Sequence, residues 1–300
     1  MTHAAGVIWL IQQRGPEAHK KPWDKDMLLS FRGMIVSVAT FVCSTSLAPL
    51  ASSDVRWASS LSLSRHADQV QVMYDLFTLR DCFLAKKRWH GVMQSDRDFT
   101  GPHSELERIV EEYLAILVQV PSILKYAYMM REALKHGMPI DTTKVPLLMH
   151  GAAKLLGDVR GTFARFSDRV PAPVDVPPED PGSVFETVLS FENSWHGGLF
   201  MSFWATMCIL QECLNVCGYP ESYKQSNKDL ARNIFRSVET VGAGFGGPYR
   251  VGYPVRIAYE FADTRTQVWL LAILSTYEKT YAATSPETYE RPGQNQYGDN

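Results

Sequence analysis

Apolar residues recur at spacings of three and four along much of the chain. Between Asp26 and Val42 they fall at Leu28, Phe31, Ile35, Val38 and Val42, the interval that lines up one face of a helix. Ser104 and Glu107 form an S-x-x-E capping box ahead of a stripe of Leu106, Ile109, Tyr113, Leu117 and Val120. Pro121 ends or kinks that helix, and Ile123 to Leu134 continues as a second. Leu230, Ile234, Val238 and Val241 make another stripe, as do Leu271, Leu274, Tyr277 and Tyr281. No stretch alternates with period two between turn signals, so no sheet is expected.

One segment breaks the amphipathic rule. From Leu199 to Leu214, the residues Leu199, Phe200, Met201, Phe203, Trp204, Met207, Ile209 and Leu210 cover nearly the whole helical circumference. A helix apolar all round is buried by neighbours on several sides. The pattern therefore predicts an all-α fold, an irregular multi-helix bundle around a buried central helix. Residues 1–284 read as a single domain. Within it, 171–182 is a proline-rich semi-extended loop, and Ser44 to Ser64 is a serine-rich surface connection. The polar residues 285–300 read as a flexible C-terminal tail.

Charge narrows the picture. Lys and Arg total 30 against 32 for Asp and Glu, a net charge of -2. Phosphate contacts supply most non-specific affinity for DNA, so direct DNA binding is not expected of this balance. The five cysteines, Cys43, Cys82, Cys208, Cys213 and Cys217, contain no C-x-x-C pair. They read as reduced, buried thiols rather than a disulfide framework or a zinc site. The uncharged stretches Gly33 to Ser53 and Asn193 to Gln211 are interrupted by hydroxyls, Pro49, His196 and a glycine pair, so no membrane span is expected. Val7 to Ile11 is too short for a secretory core and lacks a basic lead.

Several groupings suggest chemistry, and most have a plainer structural explanation. Gly242-Ala243-Gly244-Phe245-Gly246-Gly247 spells G-x-G-x-x-G. That motif cradles a dinucleotide only between a strand and a helix. Here a helix precedes it and Pro248 follows, so the glycines read as a helix end unwinding through positive φ. Glu192 and His196 share a helix face and read as a hydrogen-bonded pair near a helix start. Cys213 and Cys217 also share a face without a completing His or Asp. Glu105, Glu107, Glu111 and Glu112 form a solvated face, and Lys86, Lys87, Arg88 and His90 around Trp89 form a basic surface run. Nothing calls for a metal or a cofactor.

A resemblance adds to this reading. His3-x-x-Gly6, Leu10-Ile11 and Arg14-Gly15-Pro16 are similar to the opening of the fungal-specific transcription factor regulatory domain. Leu28, Leu29 and Arg32 follow as in that family, and Glu192 to Glu212, with Trp195 and Trp204, resembles its tryptophan-bearing central helix. The strongest likeness runs through Ile234, Arg236 to Glu239, Gly247-Pro248-Tyr249, Pro254 to Glu260 and Trp269. Members of the family usually carry a cysteine-rich zinc cluster that reads DNA, and this chain contains none. Ala205, Thr206 and Cys208 also replace the polar residues that commonly follow the central tryptophan.

The resemblance implies a nuclear regulator, with the cytoplasm as the alternative, acting through protein partners or a metabolite in a fungal secondary-metabolite pathway. It would pair with a DNA-bound regulator or with itself. A different class of function is a helical-bundle binder of a small apolar metabolite, or an enzyme acting on a hydrophobic natural product. Trp195, His196, Trp204, Tyr259 and Glu260 are the candidate ligand-contacting residues, and no catalytic residue is assigned.

Overall fold

The computed structural model describes residues 11, 13–19, 82, 85–87, 89, 104–244, 246–280, 284–289 and 291–293. The stripe between Asp26 and Val42, the serine-rich connection, Arg32, Cys43, Arg88 and His90 lie outside these. The chain gathers into two compact units, Met1–Lys125 and Tyr126–Asn300.

In the first unit, Gly15 takes φ +70° and its N–H reaches the Ile11 carbonyl at 3.1 Å. A short 3-10 turn, Pro16–His19, follows. Cys82 and Trp89 are buried while Lys86 and Lys87 are exposed. The indole of the basic run is therefore not presented for stacking on a base. Helix α1 spans Ser104–Leu117 and buries Ile109, Tyr113 and Leu117, as its stripe predicts. The helix stops at Val118 and Gln119, earlier than Pro121. Helix α2, Val120–Lys135, carries that proline in its first turn, where a missing N–H costs no helical bond.

The second unit holds the bundle. Helix α3, Val145–Ser167, buries Ala152, Leu155, Leu156, Val159, Thr162 and Phe166, a helical stripe that the sequence reading above did not single out. A hairpin follows, with β1 (Val174–Val176) antiparallel to β2 (Val188–Ser190) and Asp175 opposite Leu189. It corrects the expectation of no sheet. Strands of three residues are too short to show an alternation, and this pair depends on side-chain locks from elsewhere. Arg236 donates to Asp175 and to the Thr187 carbonyl, the latter at 3.0 Å. Thr240 Oγ1 donates to the Leu189 carbonyl at 2.6 Å.

Helix α4, Ser194–Val216, is the central helix. It packs against α3, against α5 (Lys224–Gly242) and against α6 (Gly247–Ala258). Its all-round apolarity is met on three sides, as expected of a fully buried helix. Phe163 and Phe166 of α3 interleave with Phe200 and Phe203, ring centroids 5.0–5.8 Å apart. Cys208, Cys213 and Cys217 are buried free thiols here, and burial raises all three above the usual thiol range. Gly218 at φ +72° closes the helix, with Tyr219 N–H bonding the Leu214 carbonyl, a Schellman end.

The glycine-rich segment joins two helices, so the dinucleotide geometry is absent. Only Gly244 among its described residues has positive φ, at +75°. Gly242 and Gly247 are required by close approach instead. A Cβ on Gly247 would strike the Gly242 carbonyl, and one on Gly242 would strike the Tyr277 hydroxyl. Helix α6 continues through Pro254, whose missing N–H leaves the Arg250 carbonyl without its i+4 donor. A 3-10 turn, Tyr259–Phe261, leads to α7, Thr264–Tyr277. This last helix buries Gln267, Trp269, Leu270 and Leu274, while the predicted Leu271 is only half-buried.

The described part of the expected loose tail is docked. Ser285 and Tyr289 are buried, the Tyr289 ring stands edge-on to Tyr259 at 5.0 Å, and Gly293 N–H donates to Gln267 Oε1 at 2.9 Å.

Candidate functional site

Of the five candidate ligand residues, Trp195 and His196 stand at the start of α4, Trp204 lies within it, and Tyr259 and Glu260 fall in the 3-10 turn after α6. At its start, Asn193 is the N-cap and its side chain accepts from His196 N–H at 2.9 Å. This satisfies one of the helix's orphan donors. The same turn places His196 Nδ1 3.1 Å from Glu192 Oε2 and 3.0 Å from Asn193 Nδ2. A protonated ring donates to Glu192, and a neutral one accepts from Asn193. The side chain is only 12% exposed. Burial pushes its pKa below the usual histidine value, against the pull of Glu192. Trp195 is half-buried beside it, ring centroids 5.3 Å apart. Phe166 meets the imidazole edge-on from α3 at 6.5 Å. The Glu192–His196 pair read from spacing is present, and it belongs to a capped helix start.

Trp204 lies two turns further along, buried and tilted against Phe200 at 5.5 Å. It is a core residue. Tyr259 is buried too, packed on Tyr289. Glu260 accepts from Arg131 of α2 at 3.1 Å. Burial opposes the Arg131 charge, but Glu260 and then Glu212 outweigh it, so the guanidinium stands above its ordinary pKa. Arg131 thus marks the Glu212 end of α4. At about 1.5 Å per residue, that end is roughly 24 Å from His196 along the axis. Trp195 and His196 form one neighbourhood and Glu260 belongs to another, so the five residues do not line one pocket.

The residues of the family-like pattern hold structural posts. Arg14 and Gly15 precede the first 3-10 turn, and Pro16 is buried in it. Gly247 and Pro248 start α6 under the steric demand described above. Arg256 lies 4.7 Å above the Tyr289 ring. Trp269 Nε1 donates to Asp180 Oδ2 at 3.2 Å, and Phe185 meets the indole edge-on at 5.4 Å. Glu239 completes this anchor by accepting from the Glu179 and Asp180 N–H groups at 3.1 and 3.3 Å. The proline-rich loop is therefore pinned to α5 and α7.

An open groove of about 860 Å³ runs between that loop and α7. Val184, Val268 and Ala272 give it an apolar lining beside Trp269, with Asp180, Asp263 and Arg265 adding charge. Of the residues singled out from sequence, only Trp269 reaches it. Among the described residues, no group of three or more His, Cys, Asp or Glu is placed to hold a metal ion.

Arg131, Asn193 and Arg250 were not singled out from sequence. Asn193 precedes a predicted helix and carried a capping signal of its own. The partners of Arg131 and the isolation of Arg250 arise only from the fold.

No family model matches the chain, and no curated protein or solved structure matches it.

Proposed function

We propose that this protein is a transcription-regulator-like module acting through contacts with another protein, a DNA-bound regulator or a second copy, in the nucleus of a secondary-metabolite-producing cell. One observation carries the reading. Six large apolar side chains are exposed within a single stretch of α2 and the start of α3: Tyr126, Tyr128, Met129, Leu134, Met138 and Leu147. Met129 is 58% and Leu147 is 75% exposed. Exposed apolar side chains concentrated in one part of a chain favour an interaction surface, and flexible methionines suit a surface that repacks around different partners.

The near-neutral charge supports dependence on a partner for any contact with DNA. The test is recovery of the tagged chain from its native host. Chromatin and a zinc-cluster protein are expected to co-purify with it, and to be lost on Met129→Glu with Leu147→Glu in a protein of unchanged circular dichroism. Recovery of a tightly bound metabolite alone overturns the reading. Salt-sensitive binding of DNA by the purified chain overturns its DNA-free part.

A second reading has its own observation. The groove beside Trp269 is apolar with a few polar groups, the lining that small-molecule sites favour. It supports binding of a small apolar metabolite, or chemistry on one.

A further inference from the structure

Arg250 differs from the other anchored arginines of the bundle. Arg131 has Glu260, Arg236 has Asp175 and Thr187, and Arg256 has the Tyr289 ring. Arg250 forms no hydrogen bond or ion pair with any described residue, and its Nε is fully buried without a partner. Burial alone acts on its charge and lowers its pKa. A buried donor without an acceptor costs stability.

Its position is nonetheless built. The aliphatic stem crosses α4 at Gly198, where a Cβ would come within 3.1 Å of Arg250 Cδ and 3.3 Å of its Cβ and Cγ. The guanidinium then lies over Gly246, where a Cβ would sit 3.1 Å from Nη2 and 3.2 Å from Nη1. Two glycines thus leave room for the side chain, and a Cβ at either would crowd it by a few tenths of an ångström. No described acid pairs with it. The sequence Gly242 to Gly247 contains none, and neither does the first turn of α6.

We propose that Arg250 receives a small oxyanion, the phosphate or carboxylate group of a soluble ligand, at the face of the glycine turn. The planar guanidinium is suited to either group through paired N–H donors. Gly246 leaves the backbone beside the guanidinium without a side chain of its own. The positive end of the α6 dipole acts in the same direction. Such a site differs from a dinucleotide turn because a side chain, not a strand-to-helix loop, supplies the recognition. It lies beyond the partner-contact reading and does not depend on it.

Thermal melting of the full chain at constant ionic strength tests the assignment, with inorganic phosphate and acetate titrated separately. Wild type is expected to gain a saturating rise in Tm with at least one of them. A rise with phosphate alone assigns the phosphate source, and an equal or larger rise with acetate assigns the carboxylate. Arg250→Met keeps the stem on Gly198 and removes the charge. It should abolish the rise while melting at or above the wild-type temperature in the absence of either anion. Gly246→Ala is a second, independent variant, since Gly246 has φ -88° and alanine adopts that backbone freely. Its methyl crowds the guanidinium and should weaken the apparent affinity by about threefold or more, part of one charge-assisted pair. Absence of a rise in wild type with both anions overturns the proposal. So does an equal rise in Arg250→Met, or, if that variant fails to fold, an undiminished rise in Gly246→Ala.

Discussion

Among the described residues, two helical stretches are long and apolar enough to cross a membrane, Glu105–Lys135 and Ser194–Val216. Their most apolar windows have nearly the same mean hydropathy, and their fates differ. The most apolar window of the second is 83% buried inside the protein, that of the first only 39%. Ser194–Val216 is enclosed by α3, α5 and α6. Glu105–Lys135 breaks at Val118 and Gln119 and ends in the exposed side chains from Tyr126 onward. Apolarity alone does not place a helix; the surfaces that meet it do. The enclosed helix buries its surface inside the bundle, and the open stretch leaves large apolar side chains exposed.

The sharpest way to break this contrast is to cut one side chain from each. Phe203 is fully buried against Phe163 and Phe166. Phe203→Ala should cost about 3–5 kcal/mol in urea unfolding, the lost transfer energy plus a cavity. Leu147→Ala, at 75% exposure, should stay within about 0.5 kcal/mol. Comparable losses at the two positions would show that the α2–α3 surface is itself part of a core.

The junction after α5 comes next in size. Gly247→Ala places a methyl against the Gly242 carbonyl. A backbone atom cannot swing aside as a side chain can, so a cost of about 1–3 kcal/mol is expected. Gly218→Ala, also in the bundle but with open space around it, pays only for its φ of +72°. Its expected cost is about 1 kcal/mol. Equal melting temperatures for the two variants would remove the steric argument for Gly247.

How much of this was legible in the sequence follows from the range of each interaction. The stripes Ile109–Tyr113–Leu117 and Ile234–Val238–Val241 could be read because helical burial repeats within one turn. The central helix was equally plain, since no face of it is polar. The hairpin was not, because three residues of strand carry no period and its locks come from Arg236 and Thr240 on a later helix. Arg131 and Glu260 are 129 positions apart, and no local pattern pairs them. The candidate ligand residues show the same limit. Trp195, His196, Trp204, Tyr259 and Glu260 share chemistry-bearing side chains, but only the packing shows which of them meet. The apolar surface at Tyr126 to Leu147 was hidden differently: its helices have ordinary amphipathic content, and exposure appears only once the neighbours are placed.

The start of the central helix offers finer tests. Asn193→Ala removes the acceptor for His196 N–H and should cost about 1 kcal/mol, a typical N-cap loss. Asn193→Asp should recover most of it, whereas failure of both variants to differ from wild type would mean that water caps the helix as well.

The smallest effect is the pH dependence of the same turn. Burial between Trp195 and Phe166 holds His196 below its ordinary pKa of 6.5, opposed by Glu192. The unfolded chain therefore binds a proton more readily than the folded one as pH falls through the ordinary histidine range. Stability is then lost on acidification. The contribution is fully present above about pH 6.5 and declines toward the depressed folded value, where the loss levels off. His196→Gln retains a polar side chain in the Glu192–Asn193 turn but does not titrate there. Chemical denaturation across this range should give wild type a positive slope of stability with pH that the variant lacks. A slope of equal size in His196→Gln would place the titration elsewhere. A wild-type slope of opposite sign would mean that Glu192 overrides burial and that the ring is held in its charged form.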